Sequence, residues 1–283
     1  MKTAWVGWYG NGVTENFGCL NKVNKTDLFI TGEILGIRIE HAHAVCHNID
    51  ALIERLNDYD VVFVEGYYFS VGHREDIKPY IPFIAEHPRW KSLKCKKILF
   101  DTESGPGGQI KWYIDKKPLF DDVLTTNESL SEVIYEPYID IEYYGPIKKY
   151  EDREISLLFT GAYIDSGYRA ELASRVKDLG GEVYDAFKLS REEWIEKLKN
   201  TKNYVATLSI PQQSNYHKKN KPYEVAQYGC RPIVEDTKYN YLYGKALKGF
   251  EDINTEYNPE EMALWARQFS GDKTWERILE KLS

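Results

Sequence analysis

Apolar runs only a few residues long, rich in Val and Ile, alternate along this chain with stretches whose apolar residues recur at helical spacing. Strands alternating with helices in this way build βα units around parallel sheets. In the first half, strands are expected at 3–8, 61–64 and 98–100. Asn48 caps a helix with Ile49, Leu52, Ile53 and Leu56 on one face, and Asn127 opens another short one. Residues 143–153 hold Gly145-Pro146 and mixed charges without a period, and read as a hinge.

Beyond the hinge the pattern restarts. A strand at 155–160 leads into a helix from Ser166 that buries Leu172, Ala173, Val176 and Leu179 and ends at Gly180-Gly181. Ser190 and Glu193 form a capping box for a helix carrying Trp194, Ile195 and Leu198. A strand follows at 204–210, then a short helix opened by Pro222 and closed by Gly229, then a buried strand at 233–234. Asn258-Pro259 starts a helix with Met262, Trp265, Ala266 and Phe269, and Asp272 a last one with Trp275, Ile278, Leu279 and Leu282. The expected architecture is two α/β domains, 1–150 and 151–283.

At 283 residues the chain is long enough for two such domains. The net charge of -7 argues against wrapping nucleic acid over a long basic surface, and leaves room for a local basic groove. Cys19, Cys46, Cys95 and Cys230 lack paired spacing and read as reduced thiols of a cytoplasmic protein. No apolar run is long enough to span a membrane, and the glycine-broken N-terminus reads as a first strand, not a secretory signal.

Four segments carry candidate chemistry. The first, from Phe159 through Gly161, Ala162 and Tyr163 to Arg169, takes a strand into a helix N-terminus, where N–H groups and Arg169 suit phosphate. A purely structural strand–glycine–helix turn is the competing reading. The second runs from Lys221 to Val234. It places Glu224 near a helix start, where the helix dipole alone favours a Glu. In the third, Asp101 and Glu103 follow a buried strand, where a carboxylate can take a proton from an attacking hydroxyl. A turn-forming Asp before a glycine loop is the alternative. The fourth is a glycine turn at Gly10, Asn11 and Gly12, where backbone can approach a ligand closely.

His41, His43, Cys46 and His47 lie close in sequence, but the segment reads as a strand end and loop, and no metal site is assigned. Tyr67, Tyr68 and Phe69 follow the strand at 61–64 and are candidate stacking platforms. Most of the 22 Tyr and 7 Trp are expected in cores.

Taken in order, these segments resemble the DNA β-glucosyltransferase family of T-even phages. The resemblance rests on Met1–Ala4 with Gly10–Val13, on Asp58-Tyr59-Asp60, on Leu99-Phe100-Asp101-Thr102, on Thr126–Leu130 and on Gly161–Arg169. The segment at Lys221–Val234 resembles the donor-site helix of GT-B glycosyltransferases. The resemblance implies a GT-B fold, with two Rossmann-like domains facing each other across a cleft, and a UDP-sugar co-substrate. It also implies inversion at the anomeric carbon and an acceptor base flipped out of double-stranded DNA. Carried over, it gives Arg169 and Lys221 the diphosphate, Glu224 the ribose, and Asp101 or Glu103 the role of base, with Asp101 preferred. Asp165 stands where the family has a second phosphate-binding arginine, and Arg153, Lys218 or Lys219 is left to compensate.

The leading expectation is therefore an inverting glycosyltransferase acting from a UDP-sugar on 5-hydroxymethylcytosine or 5-hydroxymethyluracil in phage DNA. Lys218, Lys219 and Lys221, with Lys94, Lys96 and Lys97, would meet backbone phosphates. A monomer is expected, with no tightly bound cofactor and with Mg or Mn at most aiding product release. A glycosyltransferase for a small-molecule or cell-surface acceptor is the rival enzyme, favoured by the acidic charge. A non-catalytic nucleotide-sugar-binding module is the rival outside enzymes.

Overall fold

The computed structural model describes residues 1–9, 11–34, 44–66, 77–101, 112, 114–125, 138–161, 164–165, 167–206, 220–234 and 242–282. The chain divides into two compact units, Met1–Glu136 with Gly271–Ser283, and Pro137–Ser270.

Unit 1 contains β1 (Thr3–Tyr9), β2 (Thr26–Ile34), β3 (Ala44–Val45), β4 (Val61–Glu65), β5 (Ile77–Pro79), β6 (Lys96–Phe100) and β7 (Asp122–Leu124). Their order is β3-β2-β1-β4-β6-β7, all parallel, with β5 antiparallel beside β2. The chain moves outward from β1 to β3, returns to β4, and moves outward the other way. The carboxyl ends of β1 and β4 therefore flank a switch point of the kind at which α/β sheets bind ligands.

Period-2 alternation gives this sheet two apolar faces, both covered. On one, α2 (Ile49–Leu56) packs Leu52, Ile53 and Leu56 against Ala4, Val6, Val62, Val64 and Leu99. Asn48 caps that helix by accepting a 3.1 Å bond from the Ala51 amide. Toward the other face, α1 (Asn11–Val23) packs on β1, β2 and the C-terminal helix, Gly271–Leu282. The fully buried Trp275 of that helix meets Trp5, Phe63 and Phe100 at ring-centroid distances of 5.9, 5.3 and 5.8 Å.

Unit 2 contains β8 (Ile155–Gly161), β9 (Glu182–Asp185), β10 (Thr201–Val205) and β11 (Arg231–Ile233), parallel in the order β11-β10-β8-β9. Its helices are α3 (Gly167–Asp178), α4 (Arg191–Lys199), α5 (Lys221–Ala226) and α6 (Pro259–Arg267). The Ser190–Glu193 capping box opens α4, and Asn258 caps α6 through the Glu260 amide. The direction of winding reverses between β8 and β10, so this sheet has its own switch point there.

Three features of the fold depart from what the sequence pattern predicts. First, residues 143–153 are no hinge: the chain passes between units at 136/137, and Arg153 is buried at 2% exposure within unit 2. Its guanidinium donates to the carbonyls of Lys148, Leu198, Thr201 and Tyr228, tying this irregular backbone to α4, β10 and the end of α5. Second, the C-terminal helix belongs to unit 1 rather than to a 151–283 domain, because Trp275 fills the aromatic face of the first sheet. Third, the expected glycine turn continues as α1 from Asn11, and the strand expected at 204–210 starts earlier, at Thr201, with residues 207–210 outside the described residues. Leu179 stays 41% exposed just past the end of α3. Residues 126–137, with the expected helix at Asn127, lie outside the described residues.

Candidate functional site

The switch point of unit 2 gathers polar side chains from five segments. Thr160, at the end of β8, has its hydroxyl 2.5 Å from that of Tyr204 on β10 and accepts a 3.2 Å bond from Trp194 Nε1 on α4. Burial pushes the Tyr204 phenol up, with nearby Lys221 opposing the shift. The indole held in this way carries two cations. The Arg191 guanidinium stands 4.6 Å from the Trp194 ring centroid and Lys221 Nζ stands 4.8 Å from it.

Both cations meet Glu224 on α5. Lys221 Nζ is 2.5 Å from Glu224 Oε2, and Arg191 Nη1 donates to Oε1 at 3.1 Å. The other arm of Arg191 donates to Glu142 Oε2 at 2.6 Å, and Tyr228 donates to that same oxygen at 3.3 Å. Gln227 Oε1 accepts from the Glu142 amide and so positions that segment. The Glu224 side chain is only 20% exposed. Burial opposes its charge, but Lys221 and then Arg191 outweigh it and hold the carboxyl below its ordinary range. Burial likewise disfavours charge on Lys221 and Arg191, and their carboxylate partners reverse the effect, so both are raised.

Among the sequence candidates, the fold brings Lys221 and Glu224 to the edge where Gly161 follows Thr160. Arg169 is partly buried on α3. Asp101 belongs to unit 1, directly after β6. It is 1% exposed, its amide donates to Leu124 O, and Thr125 Oγ1 donates to its Oδ2 at 2.5 Å. Asn11 lies in α1. Gly10, Tyr67, Tyr68, Glu103, Ala162, Tyr163, Lys218 and Lys219 fall outside the described residues.

Two expected cation roles change. Arg153 cannot stand in for a phosphate-binding arginine, since its donors are spent on buried carbonyls. Lys97 is 8% exposed, bonds to Leu93 O and Cys95 O, and pairs with Asp121 at 3.2 Å, so it offers nothing to a surface phosphate. Arg191 and Glu142 were missed from sequence. Arg191 follows the Ser190 N-cap at a helix start, the same context that singled out Arg169. Glu142 lies in irregular backbone with no periodic signal. Among the described residues, no three His, Cys, Asp or Glu come together as a metal-binding group, and no helix is long and apolar enough to cross a membrane.

No protein-family model and no curated protein matches the sequence. Solved structures do. A glycosyltransferase involved in avilamycin A biosynthesis superposes with a TM-score of 0.59 at 12% identity, over 99% of this chain and 96% of that one. A sucrose-phosphate synthase from Thermosynechococcus elongatus gives 0.49 at 10% identity over 99% and 94%. The fold is GT-B-like, with two Rossmann-like α/β units. The similarity to the avilamycin glycosyltransferase runs the length of both chains, so it concerns both units and not one shared Rossmann domain.

Proposed function

We propose that the protein is an inverting glycosyltransferase that uses a UDP-sugar. The observation that carries this reading is Glu224, a carboxylate set beside two cations at the switch point of unit 2, within a GT-B-like fold. A carboxylate suits a ribose diol, and cations suit a leaving diphosphate. In this reading unit 2 binds the donor, with Lys221, Arg169 and the Gly161 to Tyr163 turn around the diphosphate. Unit 1 carries the acceptor-side candidates, with Asp101, or Glu103, as the base, and the sequence assigns Gly10 and Asn11 to donor binding. Asp101 takes the proton as the acceptor hydroxyl oxygen bonds to the anomeric carbon. The bond from that carbon to the β-phosphate oxygen breaks, and UDP leaves with the electron pair.

The acceptor we favour is a hydroxymethylated pyrimidine in duplex DNA, with Tyr67, Tyr68, Lys218 and Lys219 contacting it. The order of motifs shared with the phage DNA β-glucosyltransferases supports this choice. The charge of -7 favours a second reading, a small-molecule acceptor.

The test mixes the protein with a panel of UDP-sugars and duplex DNA containing 5-hydroxymethylcytosine, 5-hydroxymethyluracil or plain bases, followed by nucleoside mass spectrometry. A sugar-sized mass gain on one hydroxymethylated base is expected. UDP binding without any mass gain would remove DNA as the acceptor and favour the second reading.

A further inference from the structure

Lys221, Glu224, Arg191 and Glu142 form a row of alternating charge, and within it each oxygen of Glu224 is claimed by a different cation. A ribose diol presents two hydroxyl donors and needs those same two oxygens. With four-fifths of the Glu224 side chain covered, the diol and the two cations compete for the same approach to it. The cations need another anion, and the donor brings one in its diphosphate. Trp194 is built to ease the transfer, because both cations already lie on its ring and the ring is pinned through Nε1 to Thr160. A cation leaving the carboxylate keeps its contact with the aromatic face. Glu142 holds the second arm of Arg191 and limits how far it travels.

Resting on the donor-site reading above, we propose that donor binding is an ion exchange. Glu224 hands Lys221 and Arg191 to the diphosphate and takes the ribose hydroxyls in their place, with Trp194 carrying both cations. The two halves of the donor then depend on one another. A nucleoside alone must displace cations that gain no new partner, and an inorganic diphosphate alone must strip Glu224 of its cations while offering it no hydroxyls. The site thus selects a nucleoside diphosphate over either fragment.

Calorimetry with uridine, inorganic pyrophosphate and UDP on the wild type, Glu224→Gln and Lys221→Met tests this through two gains of opposite kind. Glu224→Gln releases both cations and is expected to bind pyrophosphate about tenfold more tightly. Lys221→Met frees one Glu224 oxygen and is expected to bind uridine about tenfold more tightly while losing pyrophosphate. The uridine gain is decisive, since a neutral ligand does not respond to a simple change of net charge. Wild-type protein that binds UDP, with no uridine gain in Lys221→Met, would overturn the exchange and leave the donor site standing. Wild-type protein that binds no UDP would overturn the donor-site reading itself.

Discussion

Thr160 and Tyr204 bring their hydroxyls within 2.5 Å of each other and so join the carboxyl ends of β8 and β10 where the unit 2 sheet reverses its winding. Thr160 Oγ1 also receives Trp194 Nε1, so one hydroxyl positions the indole beneath both site cations. Thr160→Val leaves Trp194 Nε1 without its acceptor and removes the hydroxyl contact with Tyr204, which still donates to the Thr160 carbonyl, and is expected to cost roughly 1–3 kcal/mol. Tyr204→Phe removes one hydroxyl and leaves the indole bond, for about 1 kcal/mol. Urea midpoints of the two variants check the order, and equal losses would contradict it.

Gly229 has φ of +83°, and a Cβ there would collide with Arg153 Nη2. Gly229→Ala therefore combines backbone strain with displacement of a guanidinium that bonds to four carbonyls. The backbone strain alone costs roughly 1–3 kcal/mol. A marked fall in Tm is expected, whereas an unchanged Tm would mean that Arg153 does not tie this backbone to α4 and β10.

Trp275→Ala opens a cavity against Trp5, Phe63 and Phe100, and a loss of roughly 3–5 kcal/mol is expected. Because the C-terminal helix belongs to unit 1, hydrogen exchange should rise first in β1, β4 and β6 and leave β8 and β10 protected. The reverse pattern would place that helix with unit 2.

The parts of this fold that were legible in sequence carry strong local signals. Asn48, the Ser190–Glu193 box and Asn258 mark helix starts because a side-chain oxygen answers an orphan amide locally. The strand beginning at Val61 was legible because burial on both faces leaves an unbroken apolar run. By contrast β2 reads Thr-Asp-Leu-Phe-Ile-Thr-Gly-Glu-Ile, and its polar breaks hide a nine-residue strand. The membership of the C-terminal helix and the pairing of Glu142 with Arg191 are long-range contacts, and no local pattern encodes them. The candidate site was half legible: Lys221 and Glu224 sit three apart on one helix, while Arg191 of α4 reaches Glu224 only on folding.

The depressed Glu224 carboxyl fixes a sign for pH dependence. Its contribution to stability is fully present above the ordinary glutamate pKa and is lost as pH falls through the lowered folded value. The Tm difference between wild type and Glu224→Gln is thus expected to hold from neutral pH down to the ordinary glutamate range and to close below it. A gap that widens on acidification would contradict the pairing of Glu224 with Lys221 and Arg191.

The most direct test of the central claim is calorimetric titration of the wild-type protein with UDP, other nucleoside diphosphates and UDP-sugars, with Glu224→Ala alongside. The account predicts saturable one-site binding of UDP and of at least one UDP-sugar, and a loss of at least tenfold in affinity in Glu224→Ala. Failure of every nucleoside diphosphate to bind the folded wild type would contradict it, and the GT-B-like fold would then serve some other chemistry.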